Sequence, residues 1–371
     1  MRRDARWLAV LLAGAAGGLG WRAWVQAPQP AQQVVPQPGG AASAAAAVPS
    51  PVVAAAVPAA RPPASADKAA DICGLGWVSR QEIERWNPAE QARAEQMLQS
   101  LDHRKYAALS RMSARLAVGS EREQVAARLL MNDTQGAAEI AARSRDAAAY
   151  RLALQACGEP RATSSVPACA ALTTQAWAAL NPQDGRPWLR LMAEAMARRD
   201  EPAATLALEQ ALARPSLSPG RPFVLAFAEA RGAAGDPEAQ GLALVEIIGR
   251  EAAQWDPSPF GQSRYCSPAA VEDGARRTNC ERLARWLLPR ADDLLVAMLA
   301  SGIADRVGIP ATQRPYTREQ LQRGQQALVE QSTSDLGMDC ASLAHVGEVW
   351  PARLLQHNEL QQALQAASAP R

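Results

Sequence analysis

Six cysteines, at positions 73, 157, 169, 266, 280 and 340, constrain this chain more than any other feature, because all of them follow a segment that reads as an export signal. An even number of cysteines beyond such a segment belongs in an oxidising compartment, where they close into disulfides and staple the fold. Cys157 and Cys169 enclose a turn-rich stretch with Gly158-Glu159-Pro160 at one end and Pro167 at the other, and Cys266 and Cys280 enclose a second that opens Ser267-Pro268. Pairing within each stretch is the economical arrangement among the many connectivities that six cysteines allow. It leaves Cys73 to bond Cys340, which would join the two ends of the folded region. A zinc site is the weaker alternative, since there is no C-x-x-C pair and the only histidines are His103, His345 and His357.

Residues 1–26 place Arg2, Arg3 and Arg6 ahead of an apolar run over 7–25. Basic residues before such a run hold the start of a chain on the cytoplasmic side. Ala13-Gly14-Ala15 fits a cleavage site, so a signal peptide and a retained anchor both stand. The anchor is preferred, because Arg22 and Trp24 suit the far membrane interface. Residues 27–66 then consist mostly of Pro, Ala, Gln, Val, Gly and Ser, with no charged side chain between Arg22 and Arg61. Such a segment has too many prolines for a helix and too few large apolar groups for a core. It reads as a disordered tether, reaching roughly 35 Å as a coil and ~125 Å as extended polyproline.

Residues 67–371 are dominated by Ala, Leu, Arg, Glu and Gln, and no long alternating Val/Ile/Thr run interrupts them. The expected class is all-α, either an irregular solenoid of helical hairpins or a bundle. Ser79-x-x-Glu82, Ser120-x-x-Glu123 and Thr317-x-x-Gln320 fit the capping box, and Asn87-Pro88 marks a further helix start. Ala291, Leu294, Leu295, Met298 and Leu299 fall on one helical face before Gly302, which offers a stop.

Over residues 181–215 the chain resembles a tetratricopeptide repeat. Asn181-Pro182-x-Asp184 leads into Trp188-x-x-Leu191, Arg199-Asp200 marks the turn, Ala204-x-x-x-Leu208 and Ala211 follow, and Pro215 ends the unit. Trp188, Leu191, Met192 and Ala195 share one face of the first helix, and Arg190, Glu194 and Arg198 share the other. Ala193-Glu194-Ala195 recurs as Ala228-Glu229-Ala230, and Leu206-Ala207-Leu208 as Leu242-Ala243-Leu244, which extends the likeness to about residue 250. Met192 and Ala195 depart from the glycine and tyrosine of the family pattern. The resemblance implies a concave surface for protein or peptide, with Trp188 packed onto Leu208 and Ala211.

Motifs that carry chemistry are absent: there is no G-x-S-x-G, H-E-x-x-H, G-x-x-x-x-G-K-[ST] or G-x-G-x-x-G. Asp292-Asp293 read as first-turn residues that favour a helix dipole, not as an acid/base pair. With 39 basic and 37 acidic side chains, dispersed along the chain, no basic stripe is left for nucleic acid. The segment 255–277 is different, because Trp255, Phe260, Arg264 and Tyr265 stand among prolines and glycines. Aromatic and arginine side chains on a rigid loop concentrate binding energy, so these four are the candidate binding residues. The expectation is a non-catalytic scaffold of a bacterial-type cell envelope, on the periplasmic side and anchored in the inner membrane, or secreted if the signal is cleaved. It needs no cofactor or metal, and its partner is a protein or peptide. An envelope hydrolase with an acidic site outside known motifs, acting on cell-wall glycan or peptide, is the alternative, and a structural spacer is a third reading.

Overall fold

A computed structural model describes residues 70–73, 76–78, 85–158, 166–218, 227, 231–253, 256, 258–335, 339–356 and 358–368. The expected anchor at 1–26 and tether at 27–66 lie outside these residues, as do Ser79 and Glu82. Two three-residue strands, β1 (Ala70–Ile72) and β2 (Gly76–Val78), pair with each other. Fourteen α-helices follow among the described residues. They are α1 (Pro88–Leu116), α2 (Glu121–Leu130), α3 (Thr134–Arg143), α4 (Ala147–Cys157), α5 (Thr174–Leu180), α6 (Arg186–Ala197) and α7 (Glu201–Leu212). The remainder are α8 (Pro237–Ala253), α9 (Ser258–Tyr265), α10 (Gly274–Leu287), α11 (Leu294–Val307), α12 (Arg318–Asp335), α13 (Cys340–Gln356) and α14 (Glu359–Ser368). The chain divides into two units, Met1–Ala70 with Val78–Arg85, and Asp71–Trp77 with Trp86–Arg371; all fourteen helices belong to the second. None of them is long and apolar enough to cross a membrane.

Helix starts are set by side chains that satisfy the free amides of the first turn. Asn87 with Glu90 and Ser120 with Glu123 form reciprocal capping boxes at α1 and α2. Thr317 and Gln320 do the same before α12, at 2.7 and 3.2 Å. Aspartates cap five more: Asp133, Asp146, Asp200, Asp273 and Asp293 each accept a backbone N–H. Gly302 does not stop α11, which runs on to Val307 and ends where Gly308 takes a left-handed φ of 84°. Glycine inside a helix costs ~1 kcal/mol. Burial of Ala300, Ile303, Ala304 and Val307 on the same helix outweighs that cost.

Apolar side chains gather in two main cores. One joins α1 to α5 with Ala239, Ala243 and Ile247 of α8, and the other joins α6, α7 and the helices from α9 to α12 with α14. The α6–α7 hairpin turns at Arg199, whose φ is 61°, and is the part of the tetratricopeptide resemblance that lies wholly within described residues. Helix α8 instead packs on α1 and α13. Close helix approach depends on missing side chains. An ideal Cβ at Gly241 of α8 would fall 1.8 Å from the Leu343 carbonyl oxygen of α13, and one at Gly347 would fall 2.0 Å from the Pro237 oxygen. Gly261 likewise lets α9 approach α6, where a Cβ would sit 2.3 Å from Ala193 Cα.

The six cysteines form three disulfides: Cys73–Cys340, Cys157–Cys169 and Cys266–Cys280, spanning 267, 12 and 14 residues. The second ties the end of α4 to a 3-10 turn (Pro167–Ala171), and the third ties the segment after α9 to the interior of α10.

Candidate functional site

Helix α6 is enclosed on nearly every side, and this corrects the simple two-faced reading of it. Leu189, Met192, Ala193, Ala195 and Met196 are buried, whereas Trp188 and Leu191 are half-buried, with Arg214 over the Trp188 ring at 5.4 Å. The opposite face is covered over most of its length: Arg186 and Arg190 are buried and Glu194 is half-buried, while Arg198 at its end is exposed. Because α5 and α7 pack along α6 and α9 crosses it at Gly261, most of its circumference is taken. The polar residues at spacing i, i+4, i+8 thus form an internal seam.

At one end the seam opens into a cleft of about 550 Å³. Its walls come from Leu154, Cys157 and Gly158 of α4, from Val166 and the 3-10 turn, from Leu172 to Gln175 ahead of and within α5, and from Arg190 and Glu194. The Cys157–Cys169 disulfide holds two walls together. Thr173 caps α5 through the Ala176 N–H, and its own N–H donates to the Tyr150 hydroxyl at 2.8 Å, which fixes the α5 entry on α4. Thr174 donates its hydroxyl to Glu194 Oε1 at 2.5 Å, and Arg190 Nε donates to the same oxygen at 3.4 Å. Glu194 is therefore held from two sides, and it orients the guanidinium of Arg190.

The other end of the seam is a buried ionic junction. Arg186 Nε donates to the Ser218 carbonyl at 2.7 Å, and its Nη2 lies 3.3 Å from Asp292 and 3.8 Å from Asp293. Buried Asp184 accepts the N–H groups of Arg186 and Ser218 at 3.0 and 2.9 Å. Arg151 of α4 donates to the Ser218 hydroxyl at 3.2 Å and stacks on Trp177 at 5.6 Å. Its burial, with Arg186 nearby, pushes the Arg151 guanidinium down to about 10. Desolvation would raise the Asp256 carboxyl, but the charge of Arg186, the Ser258 hydrogen bonds and Arg151 outweigh it and hold the group below the usual carboxylate range. Asp292 and Asp293 are not simple first-turn residues. Asp293 is the cap of α11, through the Val296 N–H at 2.7 Å, and both carboxylates face Arg186. The junction locks the segment around Ser216 and Ser218 to the start of α6.

The candidate residues of the 255–277 segment are not brought together as a loop. Trp255 lies outside the described residues. Phe260 is 39% exposed and Arg264 is exposed, one turn apart on α9. Tyr265 is 0% exposed, so the contact role expected of it is corrected: its hydroxyl lies 2.9 Å from the Thr205 hydroxyl and accepts from Asn279 at 3.3 Å, and Arg276 covers its ring at 3.9 Å. The segment is helical because Asp256 accepts the Ser258 N–H at 2.9 Å and Pro259 stands in the first turn, where its missing donor costs nothing. A carboxylate oxygen of Glu238 lies 2.8 Å from Cys73 Sγ, near Cys340. That sulfur is bonded to Cys340 and has no proton, so the partner that holds Glu238 is Arg104, at 2.6 Å.

Sequence reasoning missed the cleft. Its signal was the stripe Arg186, Arg190, Glu194 on a helix whose other face is apolar, beside the cysteine pair at 157 and 169. No family model, curated protein or solved structure matches this chain.

Proposed function

We propose that this chain is an exported binding domain of a bacterial-type cell envelope, held on the periplasmic side by residues 1–26 and the tether at 27–66, which takes up a protein or peptide and performs no chemistry. The observation that carries the reading is the pairing of all six cysteines, two pairs locally and one across 267 residues. Such stapling persists in an oxidising compartment. The concave element that supports a binding role is the cleft between α4, α5 and α6. Its volume lies in the range of small-molecule and peptide-end sites. One carboxylate, Glu194, lines it beside one arginine, Arg190, which suits ligand recognition better than a two-carboxylate hydrolysis.

Two measurements test this reading. A reporter active only outside the cytoplasm, fused after Arg371, is expected to be active. A photo-crosslinking residue at exposed Gln175 on the cleft rim is expected to capture envelope protein or peptide, whereas one at exposed Val118 is not. An active cytoplasmic reporter would remove the compartment, and equal capture from both positions, or from neither, would remove the binding role.

A further inference from the structure

We infer that the cleft recognises the free C-terminal carboxylate of a short peptide, with Arg190 taking the carboxylate and Glu194 taking a backbone N–H of the same peptide end. This rests on the binding role proposed above and names its ligand. Only 9% of the Arg190 side chain is exposed, and its single hydrogen bond among the described residues is from Nε to Glu194. Arg190 lines the cleft, its Nη2 beside Gly158, and neither Nη1 nor Nη2 has a partner among the described residues. A guanidinium fixed in a largely buried side chain, with its terminal nitrogens open to a cleft, is pre-organised for an acceptor, and a carboxylate fits that fork with two parallel bonds.

Three further observations narrow the ligand. Both bonds to Glu194 fall on Oε1, from Thr174 and Arg190, so Oε2 can accept a donor from the ligand. One positive and one negative group side by side favour a ligand carrying an acceptor and a donor together, as a peptide end does. A dianion such as phosphate would face the Glu194 charge. The remaining walls, Leu154, Val166, Leu172 and the Cys157–Cys169 disulfide, are apolar and suit a small apolar terminal side chain. Gly158 leaves room for the fork: a Cβ there would stand 3.2 Å from Arg190 Nη2.

The test uses the oxidised full chain and two degenerate tetrapeptide libraries, identical except that one ends in free carboxylates and the other in amides. Retention of the free-acid library, at least tenfold over the amide library, is expected. Arg190→Gln should abolish the preference, and Gly158→Ala, whose backbone φ of −77° accepts a side chain without strain, should weaken retention several-fold with unchanged circular dichroism. A folded Arg190→Gln protein that keeps full preference, or a folded Gly158→Ala protein that keeps full retention, would overturn the inference. Equal retention of both libraries would overturn the carboxylate role and leave the domain a binder. Retention of neither overturns the inference too; the Gln175 crosslinker then separates the cases, since capture there preserves the binding role and silence removes it.

Discussion

Replacement of Gly241 by alanine should destabilise the domain, although alanine is the better helix former. At this position α8 touches α13 backbone to backbone, and an added Cβ would lie 1.8 Å from the Leu343 carbonyl oxygen and 2.7 Å from its carbon. A methyl and a carbonyl oxygen need more than 3 Å between them, so the helices must part by over ~1 Å, and a gap of that size already forfeits a quarter to a half of each dispersion contact across it. Leu242, Leu343 and Val346, all buried, would lose part of their packing, and the Cys73–Cys340 disulfide limits how freely α13 can move. Overpacking of this kind costs ~1–3 kcal/mol, and an obstacle made of backbone belongs at the upper end. Gly→Ala in a helix returns ~1 kcal/mol, which leaves a net loss of about 1–2 kcal/mol. Gly249 of the same helix is the internal control, because it is exposed and a Cβ there meets nothing within 4 Å. Gly249→Ala should therefore gain ~0.5–1 kcal/mol. In thermal melts the two variants should move in opposite directions, by about 2–4 °C per kcal/mol. A Gly241→Ala protein that melts at or above the wild type would refute the close-crossing argument.

Arg186→Met should cost about 3 kcal/mol in denaturant titration, since it removes the buried cation that faces half-buried Asp292 and Asp293 and the donor to the Ser218 carbonyl; an unchanged midpoint would show that the junction is not electrostatically loaded. Asp256 has a depressed folded-state pKa, so its contribution is complete above its unfolded value near ~4 and is lost as pH falls through the lower folded value. Asp256→Asn should flatten that acid limb in denaturation midpoints followed below neutral pH, and an identical limb in both proteins would refute the assignment. Removing Cys266–Cys280 by double alanine substitution should cost ~3 kcal/mol on the chain-entropy account, and removing Cys73–Cys340 should cost ~5.5, because it closes 267 residues; the reverse order of thermal midpoints would contradict it.

Much of the local structure is legible in the sequence. Capping boxes at Asn87, Ser120 and Thr317 act within one helical turn, and short cysteine separations favour local closure, so both signals survive whatever else packs around them. Signals that depend on a neighbour were read less well. Gly302 looks like a helix stop and is an interior residue, because the buried face of α11 continues past it to Gly308. Pro259 and Gly261 look like loop residues, but one occupies a first turn and the other is a contact point for Ala193. Tyr265 looks like a contact residue until Thr205, Asn279 and Arg276 surround it.

The sequence by itself determined a helical, cysteine-paired domain, because composition, capping and cysteine count are properties of the chain alone. Only the tertiary structure decided what covers the polar face of α6. Arg186, Arg190 and Glu194 have the spacing of an ordinary solvated stripe, and nothing in that spacing tells whether water or another helix will cover it. The Ser218 segment, Asp292 and Asp293 enclose Arg186 at one end of that face, while α5 packs along it and Arg190, whose Nη1 and Nη2 have no partner among the described residues, lines a cleft. Side chains that would be independent of one another in water become coupled there, because desolvation makes an unpaired charge expensive.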